Sequence, residues 1–266
     1  MPIFDSYAQG TPCYVELMTP DPGAAKAFYG ELFGWTLADM PVGENGETYT
    51  TASLEDAVVA GISGQMPELA GHPAFWGVYL AATDVDAVAG AVEAAGGTVE
   101  AAPFDVMTLG RMAAIQDPTG ARVNLWQAKD AIGTARANEP GTPIWNELTT
   151  PDLDAATAFY TAILGVTWEE MPGAQTNEGN ATPYRTMQVD GRPAGGALPP
   201  PMDGIPPHWN VYFNVTDVTD AIAQAQSLGA AILVPAFDVP EIGRLVGLTD
   251  PQGGVFWLMG PSPEAA

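Results

Sequence analysis

Apolar and polar side chains alternate along Tyr14-Val15-Glu16-Leu17-Met18, the period-two pattern of a strand with one face in a core. The pattern then lengthens. Ala25, Phe28, Tyr29, Leu32 and Phe33 recur at spacings that place them on one helical face. Thr19 or Asp21 can cap that helix, and Gly34 can stop it. A second strand is predicted over 76–82, then a helix opened by Asp84, with Val85, Val88, Val92 and Ala95 as its buried stripe and Gly96-Gly97 as its end. Short strands follow each helix. The same rhythm returns at 142–165 and 209–229.

The recurrence extends to residue identity. Asp21 and Phe28 match Asp152 and Phe159 at a spacing of 131, and 75–88 matches 208–221 at a spacing of 133. The segment 104–120 matches 237–253 at the same spacing, which puts Arg111 on Arg244 and Asp117 on Asp250. Ordered matches at nearly one shift mean a duplicated unit. The expected organisation is a first domain at 1–130, a linker at 131–141 and a second domain at 142–266.

Seven Trp, nine Phe and eight Tyr among 266 residues supply enough apolar surface for folded cores. Eight basic side chains against 32 acidic ones leave a formal charge of -24, which repels phosphate backbones and anionic lipid surfaces. Nucleic acid and membrane are therefore not expected as partners, and the expected ligand is a neutral, cationic or mostly apolar small molecule, with an apolar or aromatic one favoured. Cys13 is the only cysteine, so no internal disulfide is expected, and with no signal-like segment the expected location is the cytoplasm. Nucleophile elbows, Walker loops and dinucleotide fingerprints are missing from the sequence.

The TPD segments before the first helix of each copy, the TDV helix starts and the GR-x5-DPxG turns make the chain similar to the vicinal-oxygen-chelate superfamily. That superfamily includes glyoxalase I, extradiol dioxygenases and bleomycin and fosfomycin resistance proteins. More narrowly, the chain resembles actinobacterial two-domain glyoxalase-like proteins often labelled hydroxylases. The resemblance implies an α+β fold in which each copy pairs two βαβββ units into a cupped mixed sheet with helices on its convex face. Because the fused copies supply the pairing that single-domain relatives build from two chains, a monomer or homodimer is expected.

Metal-bearing members use His on the strands before the helices and Glu on the last strand of each unit. The matching positions here are Tyr14, Gly77 and Asn124 in the first copy, and Trp145, Asn210 and Trp257 in the second. None is a ligand of choice for a divalent ion, so no metal and no other cofactor is expected.

With the implied cup, alternation points Tyr14, Glu16 and Met18 inward, as it does Trp145, Glu147 and Thr149. The candidate catalytic groups are His208, Glu147 and Glu16, with Glu147 able to orient His208 or to act as base. Tyr14, Tyr79, Asn124, Trp126, Trp145, Arg185, Asn210, Tyr212 and Trp257 are the candidate substrate-binding residues. A structural role, as a buried hydrogen-bonded carboxylate, stands beside the catalytic one for Glu16 and Glu147. Arg111 and Arg244 are expected to lock turns, Tyr49 and Tyr184 to pack, and Gly195-Gly196 to end an element.

Three functions remain open at this point. One is a metal-independent enzyme of lyase or isomerase type, guiding cyclisation, dehydration or isomerisation of an aromatic or polyketide-like molecule in secondary metabolism. The others are a protein that sequesters a drug or metabolite, and a metal-dependent glyoxalase or dioxygenase, since Glu16, Glu147 and His208 lie two residues from ligand positions.

Overall fold

A computed structural model describes residues 3–42, 47–171 and 182–262. The first copy runs β1 (Pro12–Thr19), α1 (Pro22–Phe33), β2 (Thr36–Val42), β3 (Glu47–Leu54) and β4 (Ala57–Gly64). It continues with β5 (Phe75–Ala81), α2 (Val85–Val92), β6 (Thr98–Val106), β7 (Gly110–Gln116) and β8 (Arg122–Ala128). The second copy opens with β9 (Pro143–Thr149), α3 (Leu153–Leu164), β10 (Thr167–Met171), β11 (Tyr184–Val189) and β12 (Arg192–Leu198). Its other half is β13 (His208–Asn214), α4 (Val218–Ser227), β14 (Ala231–Val239), β15 (Gly243–Thr249) and β16 (Val255–Gly260).

Each helix starts where a short acidic side chain can take its first free amide. Asp21, Asp84 and Asp152 accept from Ala24, Ala87 and Ala155, and Asp217 accepts from Thr219 and Asp220. Gly34 and Gly165 close α1 and α3 in the left-handed conformation that a glycine adopts without strain. The five apolar residues of α1 named from spacing are its buried set; Ala95 falls in the turn beyond α2.

The strands form two eight-stranded mixed sheets of one topology. The first has the order β2-β3-β4-β1-β5-β8-β7-β6, and the second repeats it as β10-β11-β12-β9-β13-β16-β15-β14. In each, two βαβββ units meet at a central antiparallel pair, β1 with β5 and β9 with β13. Register then sets the neighbours of the two central carboxylates. Glu16 lies between Gly61 and Gly77, and Glu147 between Gly196 and Asn210.

The helices lie between the two sheets, and a single apolar core runs through both copies. Phe33 of α1 packs on Phe213 of β13 at 4.8 Å between ring centroids, and Phe28 meets Phe256 of β16 at 5.9 Å. Helices also meet across the copies, α1 with α4 and α2 with α3. The concave faces therefore point outward on opposite sides. Among the described residues, no helix is long and apolar enough to cross a membrane.

Polar locks join the copies inside this core. The Asp250 carboxylate caps its own turn with one oxygen and accepts Tyr29 Oη with the other at 2.8 Å, while Trp76 Nε1 donates to that hydroxyl at 3.0 Å. Asp117, Tyr160 and Trp209 repeat the arrangement in the opposite direction.

Candidate functional site

The floor of each cup is a glutamate on the central strand. Val15 and Leu17 enter the core beneath the sheet, which turns Glu16 to the concave face. Its Oε1 accepts Ser63 Oγ at 2.6 Å and its Oε2 accepts the hydroxyl of Tyr79. Tyr14 and Tyr49 share a hydrogen bond of 2.8 Å beside it. Burial pushes the Glu16 carboxyl above the ordinary range, against the pull of its two hydroxyl donors.

The second cup has the same plan with different proton directions. Tyr212 Oη donates to Glu147 Oε1 at 2.7 Å, and the Tyr184 hydroxyl lies close enough to the same carboxylate to favour its charged form. Trp145 Nε1 donates to Tyr184 Oη at 3.0 Å. An indole nitrogen only donates, so the tyrosine oxygen accepts there and its own proton is free for Glu147. Ser63, which serves Glu16, has Leu198 as its counterpart beside Glu147. Burial again raises the glutamate, although Glu147 keeps more contact with solvent than Glu16.

Glycines make room for these tyrosines. A Cβ on Gly61 would lie 2.1 Å from Tyr49 Oη, and one on Gly196 would lie 1.9 Å from Tyr184 Oη. Gly195-Gly196 is thus no element end: it sits inside β12, where a missing side chain seats a hydroxyl over the backbone. Tyr49 and Tyr184, set aside as packing from sequence, belong to the two sites.

Around Glu147, Tyr212 stacks on Trp257 at 5.3 Å with an interplanar angle of 22°, and Phe237 meets Trp257 edge-on. Trp257 Nε1 donates to Asn210 Oδ1 at 3.0 Å, which fixes the amide so that its nitrogen reaches Thr149 Oγ1 at 2.9 Å. His208 is farther along the strand, opposite Thr149. Its ring nitrogens face Pro206 O at 2.8 Å and Asn210 Oδ1 at 3.1 Å. The orientation of His208 by Glu147 expected from sequence is not found: Asn210 and the loop carbonyl hold the ring.

In the first cup, Tyr79 meets Trp126 edge-on at 6.3 Å, and Asn124 pairs in register with Tyr79. Trp126 Nε1 donates to Ala131 O at 2.9 Å. Arg185 is a correction. Its neighbour Tyr184 takes the concave face, so Arg185 points to the helix side, where it binds Asp154 at 2.6 Å and Thr157 Oγ1 at 2.9 Å on α3. Arg111 ties its hairpin to Asp86 at the start of α2, and Arg244 binds Asp238.

The donor set does not fit a divalent ion. Each cup offers one carboxylate, with Ser63 and Tyr79 donating to Glu16 and Tyr212 to Glu147, flanked by phenol, indole and amide side chains; the His208 imidazole beside the second is held by Pro206 O and Asn210 Oδ1. Among the described residues no three or more His, Cys, Asp or Glu gather as a metal site requires.

A family model described as the glyoxalase/bleomycin resistance protein/dioxygenase superfamily matches residues 12–125 and again 144–258. CFP32 of Mycobacterium tuberculosis, provisionally named a glyoxylase, is 43% identical over 265 residues, covering 99% of this chain and 100% of its own. The anthracycline biosynthesis protein DauV of Streptomyces sp. is 34% identical over 263 residues, covering 94% of this chain and 93% of its own. The Mn(II)-bound glyoxalase from Novosphingobium aromaticivorans shares the fold with a TM-score of 0.65 at 20% identity, over 96% of this chain and 83% of that one. With both copies matched and relatives of this identity aligned almost end to end, the chain belongs to the glyoxalase/bleomycin resistance protein/dioxygenase superfamily.

Proposed function

We propose that the chain is a metal-independent enzyme of secondary metabolism that holds a flat, largely apolar aromatic or polyketide-like molecule in a cup and guides proton transfer within it. The reaction class is cyclisation, dehydration or isomerisation. The observation that carries this reading is a desolvated carboxyl group on an aromatic floor, with the Tyr212 hydroxyl donating to it and that of Tyr184 beside it. Burial brings Glu147 closer to the working pH than an exposed carboxylate, which suits a group that must both take and return a proton. In ionised form it accepts a proton from a carbon next to a ligand carbonyl. Tyr184 and Tyr212 can then turn their hydroxyl protons to the enolate oxygen, and the protonated carboxyl gives its proton back at another atom. The names of DauV and of DnrV from Streptomyces peucetius, both anthracycline biosynthesis proteins, support a polycyclic aromatic ligand.

A second reading rests on the same contacts. Glu147 is already satisfied by its tyrosines, and a satisfied carboxylate can serve a pocket that sequesters a ligand without chemistry. Glu147→Gln separates the two when binding and turnover of aromatic polyketides are measured together. The enzyme reading expects turnover to fall roughly 100-fold or more while affinity changes only slightly. Tight binding with no product from the unmodified chain, and resistance to the bound compound in cells that express it, would establish sequestration instead.

A further inference from the structure

The two cups have one floor plan but different walls. Where the first has Asn124, the second has Trp257, stacked on Tyr212. Where the first carries the ion pair between Arg122 and Glu100, at 2.9 Å, the second carries Val255 and Leu233. Leu233 is 53% exposed, an apolar side chain left in water at a position where its counterpart is charged. At these positions the second cup is apolar or aromatic where the first is polar.

The first cup is also crossed by its own chain. After β8, residues 131–136 run back over one end of it. Ala131 O takes the Trp126 indole proton, Thr134 N donates to Cys13 O at 2.8 Å, and Ala135 N donates to Val58 O at 2.7 Å. Gly133, at φ 102°, lies so close to β1 that a Cβ there would be 2.3 Å from Cys13 O. Tyr7 completes the cover, donating to Thr134 O and packing with Cys13, Tyr79 and Ala81. Glu16, beneath, is 6% exposed.

We propose that the second cup alone takes ligand, one flat, uncharged aromatic molecule per chain against the Tyr212–Trp257 stack, and that residues 131–136 close the first cup. This rests on the aromatic-ligand reading above and adds which cup works and why the other does not. The chain's seven tryptophans provide the test. The full chain is labelled with 5-fluorotryptophan, its signals are assigned with single Trp→Phe variants, and it is titrated with a hydroxyanthraquinone while fluorine spectra are recorded. The expected result is that the Trp145 and Trp257 signals move together and saturate at one equivalent while Trp126 stays still. In Trp257→Ala, affinity for the probe falls at least tenfold. Saturation at two equivalents, or movement of Trp126, overturns the single-cup assignment and leaves the proposed function standing. A probe that moves no signal overturns both. Amide exchange supplies a readout that needs no ligand: Thr134, Ala135 and Arg136 are expected to exchange as slowly as core strands, and rapid exchange there overturns the closure.

Discussion

Between the copies, Tyr14 becomes Trp145, and that one change decides where a proton points. A tyrosine pair can pass its hydrogen bond either way, whereas an indole donor makes Tyr184 Oη the acceptor and leaves its proton free to turn toward Glu147. The glutamates themselves were legible, because alternation along one strand is a local property. So were Tyr79 and Tyr212, which donate to them, but Tyr49, Tyr184 and Ser63 were not: they reach the floor only through the register of β3 with β4 and β4 with β1, or its equivalent, which no single segment encodes. Glu16 also carries a pH signature. Burial makes the folded chain hold this proton more tightly than the unfolded chain, so its contribution to stability is full below about pH 4.3 and is lost as pH rises through the higher folded value. Glu16→Gln is expected to raise the melting temperature at neutral pH, by roughly 2–4 °C for each kcal/mol of buried charge removed, and to flatten its fall as pH rises above about 4.3. Calorimetry across that range checks it; an unchanged pH slope would show that Glu16 ionises as freely in the fold as outside it.

At the scale of elements, the caps and stripes of the helices were readable because each depends on a few adjacent residues, as the four capping aspartates show. Arg185 shows the limit. Its strand is interrupted in the sequence by few apolar landmarks, and a one-residue difference in phase moves a side chain to the other face. Gly196 was misread for a related reason: a glycine inside a strand and a glycine at its end look alike until the neighbouring tyrosine is seen above it. Gly196→Ala must push Tyr184 aside, since its hydroxyl occupies the space of the new methyl group. Roughly 1–3 kcal/mol of stability should be lost in denaturant titrations. Ligand affinity should fall with it, because the Trp145–Tyr184–Glu147 chain is broken; unaltered affinity would exclude that chain from binding.

For the whole molecule, the duplication was plain in the sequence, but which sheet each helix covers was not. Phe28 and Phe33 share a face with Tyr29, yet nothing in their spacing says that this face also meets Phe213 and Phe256 of the other copy. The DPxG aspartates likewise read as turn residues, and their second oxygens take a tyrosine across the core. Tyr29→Phe leaves Asp250 Oδ2 and the Trp76 indole without a side-chain partner in the interior, at a cost of about 1–3 kcal/mol. Because one core serves both copies, denaturant should unfold this variant and its parent in single transitions. Two separated transitions would show that the halves hold together independently.

The shared core also limits how the protein can catch a small molecule. Many two-domain proteins swallow their ligand by bending at a hinge, so that the halves shut like a shell on what lies between them. Here the surfaces that would have to part are locked by Tyr29 and Tyr160, and the recesses open away from each other. Entry and exit must therefore be governed at the lip of a recess, and the time a ligand stays bound by local motion there rather than by travel of one half against the other.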